Sequence, residues 1–126
     1  MKEFLNKVRE FQIASGQPTS DVPKLSSKLL SLLRFDLMKE ENEEFLEACE
    51  DNDIVEVLDS LIDQFYVLAG TINQFGMQDL FEEAFNLVHE NNMSKVVDGK
   101  VIRNEFGKIL KPENFVPVDL EQLFNK

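Results

Sequence analysis

Residues 37–66 read LMKEENEEFLEACEDNDIVEVLDSLIDQFY. Apolar side chains recur there at three- and four-residue intervals, which is helical spacing, and the Asp51-Asn52 step splits the run into two helices. The connection is too short to allow anything but antiparallel packing. Between Glu40 and Glu90 lie fifteen of the chain's 24 acids, and no Lys or Arg follows Glu40 until Lys95. Solvated helices ordinarily interleave signs, because like charges four residues apart repel. An acidic stretch without internal bases costs stability unless something neutralises it. Hard divalent cations, which take oxygen ligands, are the obvious candidates.

Helical position sorts these acids. On a 3.6-residue period Leu30, Leu33, Leu37, Glu41, Glu44 and Ala48 form one stripe, so Glu41 and Glu44 stand where apolar residues belong. An unpaired carboxylate is costly on a core-facing line. Glu43, Glu47 and Glu50 fall on an outward face, the ordinary place for a solvated acid. On the following helix Val55, Val57, Leu58, Leu61, Phe65 and Tyr66 cover about half the circumference. Glu56, Asp59 and Asp63 line its border. Carboxylates three apart project from adjacent turns, so Glu41 and Glu44 on one helix and Glu56 and Asp59 on its antiparallel neighbour can converge into one oxygen cage. Such a cage suits Mg²⁺ or Mn²⁺ and leaves coordination positions for water and phosphate.

The rest of the chain reads outward from this pair. A first helix spans about Lys2 to Ala14, with Phe4, Leu5, Val8 and Phe11 on one face. A loop rich in turn formers follows, including Gly16, Pro18 and Pro23. The second helix is expected from roughly Lys24 to Glu50, irregular near Phe35. The third starts at an Asp53 cap and runs to Asn73 or Phe75, before Gly76. A fourth, near Gln78 to Asn92, carries Leu80, Phe81, Ala84, Phe85, Leu87 and Val88. Val96 to Ile102 reads as a small hairpin turning at Asp98-Gly99. The tail contains Pro112 and Pro117 and ends in a helical turn around Leu120 to Phe124. The expectation is one all-α domain over 1–126, a four-helix bundle over about 1–94 with a basic, hairpin-like segment over 95–126.

Composition excludes several functions. Eleven Phe and 43% hydrophobic residues rule out a disordered chain despite a net charge of −11. That charge argues against binding nucleic acid or anionic membranes, which need clustered bases. No apolar run approaches a membrane span, and the N-terminus is charged and amphipathic, unlike a signal peptide. One cysteine, Cys49, permits no internal disulfide and suits a reducing, cytoplasmic setting. A ferritin-like di-iron site needs Glu-x-x-His on two helices, and the sole histidine is His89. Zinc prefers Cys and His, of which there is one each, far apart. Asp51-Asn52-Asp53 lacks the glycine and spacing of a helix-loop-helix calcium loop. Gly-Lys-Ser/Thr phosphate loops and dinucleotide glycine fingerprints are absent.

The run from Leu37 to Glu44, followed by Glu56 through Tyr66, resembles the E-x-x-E then E-x-x-D signature of the MazG-like all-α nucleoside triphosphate pyrophosphohydrolases. That superfamily includes phosphoribosyl-ATP pyrophosphohydrolase and the dimeric all-α dUTPases. Asn92-Met93-Ser94-Lys95, Asp98-Gly99-Lys100, Gly107-Lys108 and Lys111-Pro112 resemble the C-terminal segment of one MazG-like branch. Phe11, Gly16, Pro18 and Leu33-Arg34 suit it as well. Gln12 departs from the histidine of many relatives, which touches only a peripheral contact. The resemblance implies hydrolysis of a nucleoside triphosphate between its α and β phosphates, giving monophosphate and pyrophosphate, with a pyrimidine deoxynucleotide as the provisional substrate. It implies Glu41, Glu44, Glu56 and Asp59 as metal ligands and Asp63 as a further ligand or outer partner. Glu40, beside Glu41, would orient or deprotonate water. Lys95 would neutralise phosphate, Asn92 would donate to phosphate, sugar or base, and Lys108 and Lys111 would lie over the bound nucleotide.

Two other classes compete. A catalytically silent nucleotide-sensing module would have no need to keep four convergent acids. An acidic mimic of nucleic acid would display its acids outward, whereas Glu41 and Glu44 are in line with leucines. The wide apolar faces of the third and fourth helices also predict a homodimer or a dimer of dimers.

Overall fold

The structure, a computed structural model, describes residues 2–125. Four α-helices occur among them: α1 (Lys2–Ala14), α2 (Lys28–Glu50), α3 (Ile54–Gln74) and α4 (Phe81–Met93). Strands β1 (Ile102–Arg103) and β2 (Ile109–Leu110) pair antiparallel, Ile102 opposite Leu110, and a 3₁₀ turn covers Glu121–Phe124. This is the all-α bundle with a short C-terminal hairpin that the sequence predicts. The chain divides into two compact units, one up to Asp79 and one from Leu80. Helix α4 belongs to the second of these units, where Asn91 Nδ2 donates to Val116 O at 2.6 Å.

In the N-terminal unit α3 packs against both α1 and α2. Asp53 starts α3, its Oδ1 accepting from Glu56 N at 3.1 Å and so satisfying an orphan donor of the first turn. Asn52 adopts a left-handed conformation, φ 54°. Asn52 N and Asp53 N donate back to Cys49 O and Ala48 O, which closes the tight antiparallel joint. At the other end of α3, Gly76 has φ 68°, and a Cβ there would lie 1.9 Å from Val22 O. Only glycine permits that crossing.

The same crossing explains why α2 begins later than the expected Lys24. Ser20 N donates to Asn73 O and Lys24 N to Phe75 O, so this segment caps the C-terminal carbonyls of α3 instead of coiling. Helix α2 then starts behind a Ser27 cap, whose Oγ accepts from Leu30 N. It runs unbroken through Phe35, where an irregularity was expected. Helix α4 likewise starts three residues later than Gln78, whose side chain is spent on Ser20 O.

The core is small and unusually polar. Leu5, Val8, Ala48, Ala69 and Ile72 are buried with Gln12, Arg34, Ser60, Asn73 and Gln74. Phe4 and Phe11 pack edge-to-face on Phe65 and Tyr66 but stay half exposed. Gln12, expected at the periphery, is 1% exposed and sits at the centre of a hydrogen-bond network. Its Nε2 donates to Gly70 O at 2.9 Å, and Asn73 Nδ2 donates to its Oε1 at 3.0 Å and to Leu5 O. Buried amides hold α1 on α3 where a larger core would use hydrocarbon, and their amide nitrogens are paired although Asn73 Oδ1 is left without a partner.

In the C-terminal unit Val97 and Lys100 bridge across Asp98 and Gly99, both at positive φ, as the Asp-Gly turn requires. The strands proper lie beyond that turn, closed at Asn104–Gly107, where Asn104 Oδ1 accepts from Phe106 N and Lys108 N. No described helix is long and apolar enough to cross a membrane.

Candidate active site

Glu41 and Glu44 on α2 and Asp63 on α3 bring one carboxylate oxygen each to within 4.8 Å of one another. Antiparallel pairing sets this up: Asn42 Oδ1 accepts from Gln64 Nε2 at 3.0 Å, fixing the register one residue along. Glu41 and Asp63 are half-buried and Glu44 is exposed, so the stripe that carries Glu41 inward leaves Glu44 at its rim. The Oε2 atom of Glu41 is buried and accepts no hydrogen bond. An orphaned buried acceptor is costly. Burial first, then the charge of Glu44, a hydrogen bond shared with it, and the charges of Asp63 and Glu40 push the Glu41 carboxyl up to about 7. Asp63 is raised by burial and by Asp59 and Glu44. Among the described residues no base forms an ion pair with any of the three; Lys2, Lys7 and Arg9 pair with Asp79, Glu3 and Asp21.

Three hard oxygens fit a divalent cation of the Mg²⁺ or Mn²⁺ kind, and among the described residues no nitrogen or sulfur ligand joins them. The remaining sequence-derived ligands, Glu56 and Asp59, lie outside the trio. They stand on α3 at i−7 and i−4 from Asp63, and Asp59 is near enough to raise the Asp63 pKa. Glu40 is exposed beside Glu41 and adds to its charge environment.

The sequence did not single out Arg34 as a buried charge. It is 6% exposed, and burial pulls its pKa down, although a guanidinium stays protonated. Its Nε donates to Gln74 Oε1 at 3.2 Å and its Nη2 to Gln17 Oε1 at 2.8 Å. Among the described residues no carboxylate pairs with it. The signal was present in the spacing: Arg34 lies four after Leu30, three before Leu37 and seven before Glu41, a better fit to the inward line than Leu33, which is 51% exposed.

In the C-terminal unit Lys95 Nζ donates to Asn92 Oδ1 at 3.1 Å. The ammoniums of Lys95 and Lys111 stand 5.7 and 5.5 Å from the centre of the Phe115 ring, so that ring gathers two of the four expected substrate contacts. Lys108 lies apart from them in the β1–β2 turn, its backbone N–H bonded to Asn104.

Comparison with protein families gives a match to the phosphoribosyl-ATP pyrophosphohydrolase model over residues 8–92. The matched span contains α2 and α3 whole, with the acidic trio, Glu56, Asp59 and Arg34, and stops at Asn92, short of Lys95, Lys108 and Lys111. No individual curated protein matches the chain.

Proposed function

The chain belongs to the phosphoribosyl-ATP pyrophosphohydrolase family, within the MazG-like all-α superfamily whose activity is pyrophosphohydrolysis of nucleotide-like substrates, and from that membership we propose that it hydrolyses a nucleoside triphosphate to monophosphate and pyrophosphate with Mg²⁺ or Mn²⁺. The observation that supports the metal requirement is the clustering of Glu41, which has an orphaned buried oxygen, with Glu44 and Asp63. A triphosphate is repelled by bare carboxylates, so the trio becomes a phosphate site only when its charge is inverted. Glu41, Glu44 and Asp63 would hold the cation, with Glu56 and Asp59 joining from the preceding turns of α3. Bound there, it supplies Lewis-acid stabilisation of charge on the phosphates and a more acidic water.

The chain's own part in the reaction follows from the charge order. Glu40, exposed and next to the trio, orients water and accepts its proton as it attacks the α-phosphorus. Asn92, Lys95, Lys108 and Lys111 are the substrate contacts proposed in the C-terminal unit, the lysines meeting phosphate charge. A pool-cleansing role and a cytoplasmic location complete this reading; the exposed, unpaired Cys49 suits a reducing compartment. Phe4, Leu61, Ile62 and Phe65 leave an exposed apolar face on α1 and α3, which supports a homodimer or a dimer of dimers. Light scattering should then return at least twice 14.5 kDa.

The deciding experiment incubates the protein with a panel of nucleoside triphosphates and Mg²⁺ or Mn²⁺ and resolves the products. Monophosphate with pyrophosphate is the expected pair. Diphosphate with phosphate, or no turnover of any nucleotide with either metal, would refute the reading.

A further inference from the structure

Helix α4 and the tail of the C-terminal unit meet at one half-buried aromatic ring, that of Phe115. The segment Lys111-Pro112-Glu113-Asn114-Phe115 turns back on itself, Phe115 N donating to Pro112 O at 3.1 Å. The Lys111 ammonium, one residue before the turn, thereby comes over the ring at its end, 5.5 Å from the centre. On the other side of the ring Asn91 Nδ2 donates to Val116 O, which ties the residue after Phe115 to the last turn of α4. Lys95, two residues past the end of that helix, reaches the same ring, 5.7 Å from its centre.

Folding alone gives no reason for two ammoniums to share a ring. A lysine just past a helix C-terminus is ordinarily explained by the dipole, but Lys111 belongs to no helix. Among the described residues no carboxylate pairs with either ammonium. Their distances from one centre keep them within the order of a Debye length of each other, so the charges repel and the ring holds both against that repulsion. Their donors are also open. An ammonium carries three N–H groups; Lys95 gives one to Asn92 Oδ1, and Lys111 gives none to an acceptor among the described residues. With its oxygen committed to Lys95, Asn92 keeps Nδ2 without an acceptor among the described residues.

We propose that Phe115 is a positioning residue whose ring holds Lys95 and Lys111 as a two-pronged clamp for the pyrophosphate group of the substrate. The proposal rests on the nucleotide reading and deepens it, since it names the part of the substrate that these lysines take and the side chain that arranges them beforehand. Charge argues first: two cations without an acid are relieved by a polyanion. Shape argues second. A single phosphate meets both ammoniums only where they stand close together, whereas a diphosphate, charged at two phosphorus centres, meets them across the whole separation the ring allows. Entropy argues third. A lysine is a point charge on a flexible stem, and one already held over a ring loses less freedom when the anion arrives.

The first test needs no catalysis. In ¹H–¹³C spectra of the metal-free protein, the ring current of Phe115 should move the ε-methylene signals of Lys95 and Lys111 upfield. Phe115→Leu, which stays apolar, should return both to the ordinary lysine position. Inorganic pyrophosphate should shift the two signals together, at about fivefold lower concentration than orthophosphate requires, the effect of one further exposed ion pair. In the pyrophosphate-release assay Phe115→Leu should raise KM for nucleoside triphosphates about tenfold, by loss of two cation–π contacts, with little change in kcat. Phe115→Tyr, which keeps the ring, should restore it. Should Phe115→Leu not fold, Lys111→Met decides: it leaves the ring and the turn in place and should weaken pyrophosphate to the level of orthophosphate. Lysine signals at their ordinary position in the wild type, or pyrophosphate bound no better than orthophosphate, overturn the clamp. An unchanged KM in Phe115→Leu overturns the role of the ring and leaves the pyrophosphohydrolase reading standing. Pyrophosphate moving both lysine signals, with no nucleotide turned over, would uphold the clamp and remove the reaction.

Discussion

The α2–α3 seam carries unmet negative charge at one end and unmet positive charge at the other. At the Asp51 end Glu41, Glu44 and Asp63 crowd together without a base, and burial and mutual repulsion push Glu41 up to about 7. Two turns away Arg34 is buried among amide oxygens without an acid. A pair formed between these groups would have quenched both. The register holds them apart, and the acidic end is left complementary to a cation. The ends also differ in what supports them. The arginine end is satisfied by neutral partners that tie α2 to α3 and to the loop after α1, so it contributes to folding. The acidic end has an orphaned oxygen and gains nothing until a cation arrives.

That contrast makes opposite predictions for the two ends. The largest effect is on catalysis. Replacing Glu41, Glu44 or Asp63 by its amide should cut pyrophosphate release by about 10²-fold or more, with the metal-free protein melting no earlier than wild type. Glu56→Gln and Asp59→Asn should lose activity equally if their side chains turn to the cation; full activity in both would confine the metal to the trio. Next comes metal binding. Mg²⁺ or Mn²⁺ at a hundredfold excess over its Kd should stabilise the protein by about 2.7 kcal/mol in chemical denaturation. Glu41→Gln should abolish most of that gain.

Arg34→Met should act the other way, destabilising the metal-free protein by about 1–3 kcal/mol, because Gln74 and Gln17 lose a buried donor. If it were as stable as wild type, the arginine would be held for function alone. A smaller effect is expected with pH. The folded pKa of Glu41, about 7, lies above its ordinary 4.5, and Asp63 shifts the same way. The folded state therefore holds these protons more tightly. The Glu41 contribution to metal-free stability is fully present below pH 4.5 and is lost as the pH rises through about 7, and that of Asp63 has the same sign. Metal affinity should rise over the same interval, since the ion competes with the proton. Denaturation midpoints measured from pH 4.5 to 8, with and without metal, check both signs. Least affected should be Glu47→Gln, on the outward face, within about 0.5 kcal/mol of wild type and fully active.

Much of this was legible in the residues. Periodicity alone located α1 and α3 to within a residue or two, and the Asp53 cap, the Asp98-Gly99 turn and the terminal helical turn depend on local geometry that short-range sequence specifies. The inward place of Glu41 also followed from its line with Leu30 and Leu37. The start of α2 did not, because Lys24, at its expected start, donates its N–H to Phe75 O, the cap of α3 some fifty residues away. Nor did the roles of Gln12 and Arg34. Sequence pattern treats a polar side chain as surface by default, and only the packed amide network reverses that.

The amino-acid sequence by itself determined the all-α class, the antiparallel α2–α3 joint and the acidic character of its seam, since these arise from 3.6-residue spacing, a two-residue connection and the missing bases. Tertiary structure decided which acids meet and which polar groups are buried. Asp63 joins Glu41 and Glu44 because interhelical register, set through contacts such as Asn42 with Gln64, selects one carboxylate out of three on the same edge. Arg34 has a cavity to face because Gly70 lacks a side chain opposite it. Helical period places a residue on a face, but the distance between two faces exists only once the helices are packed.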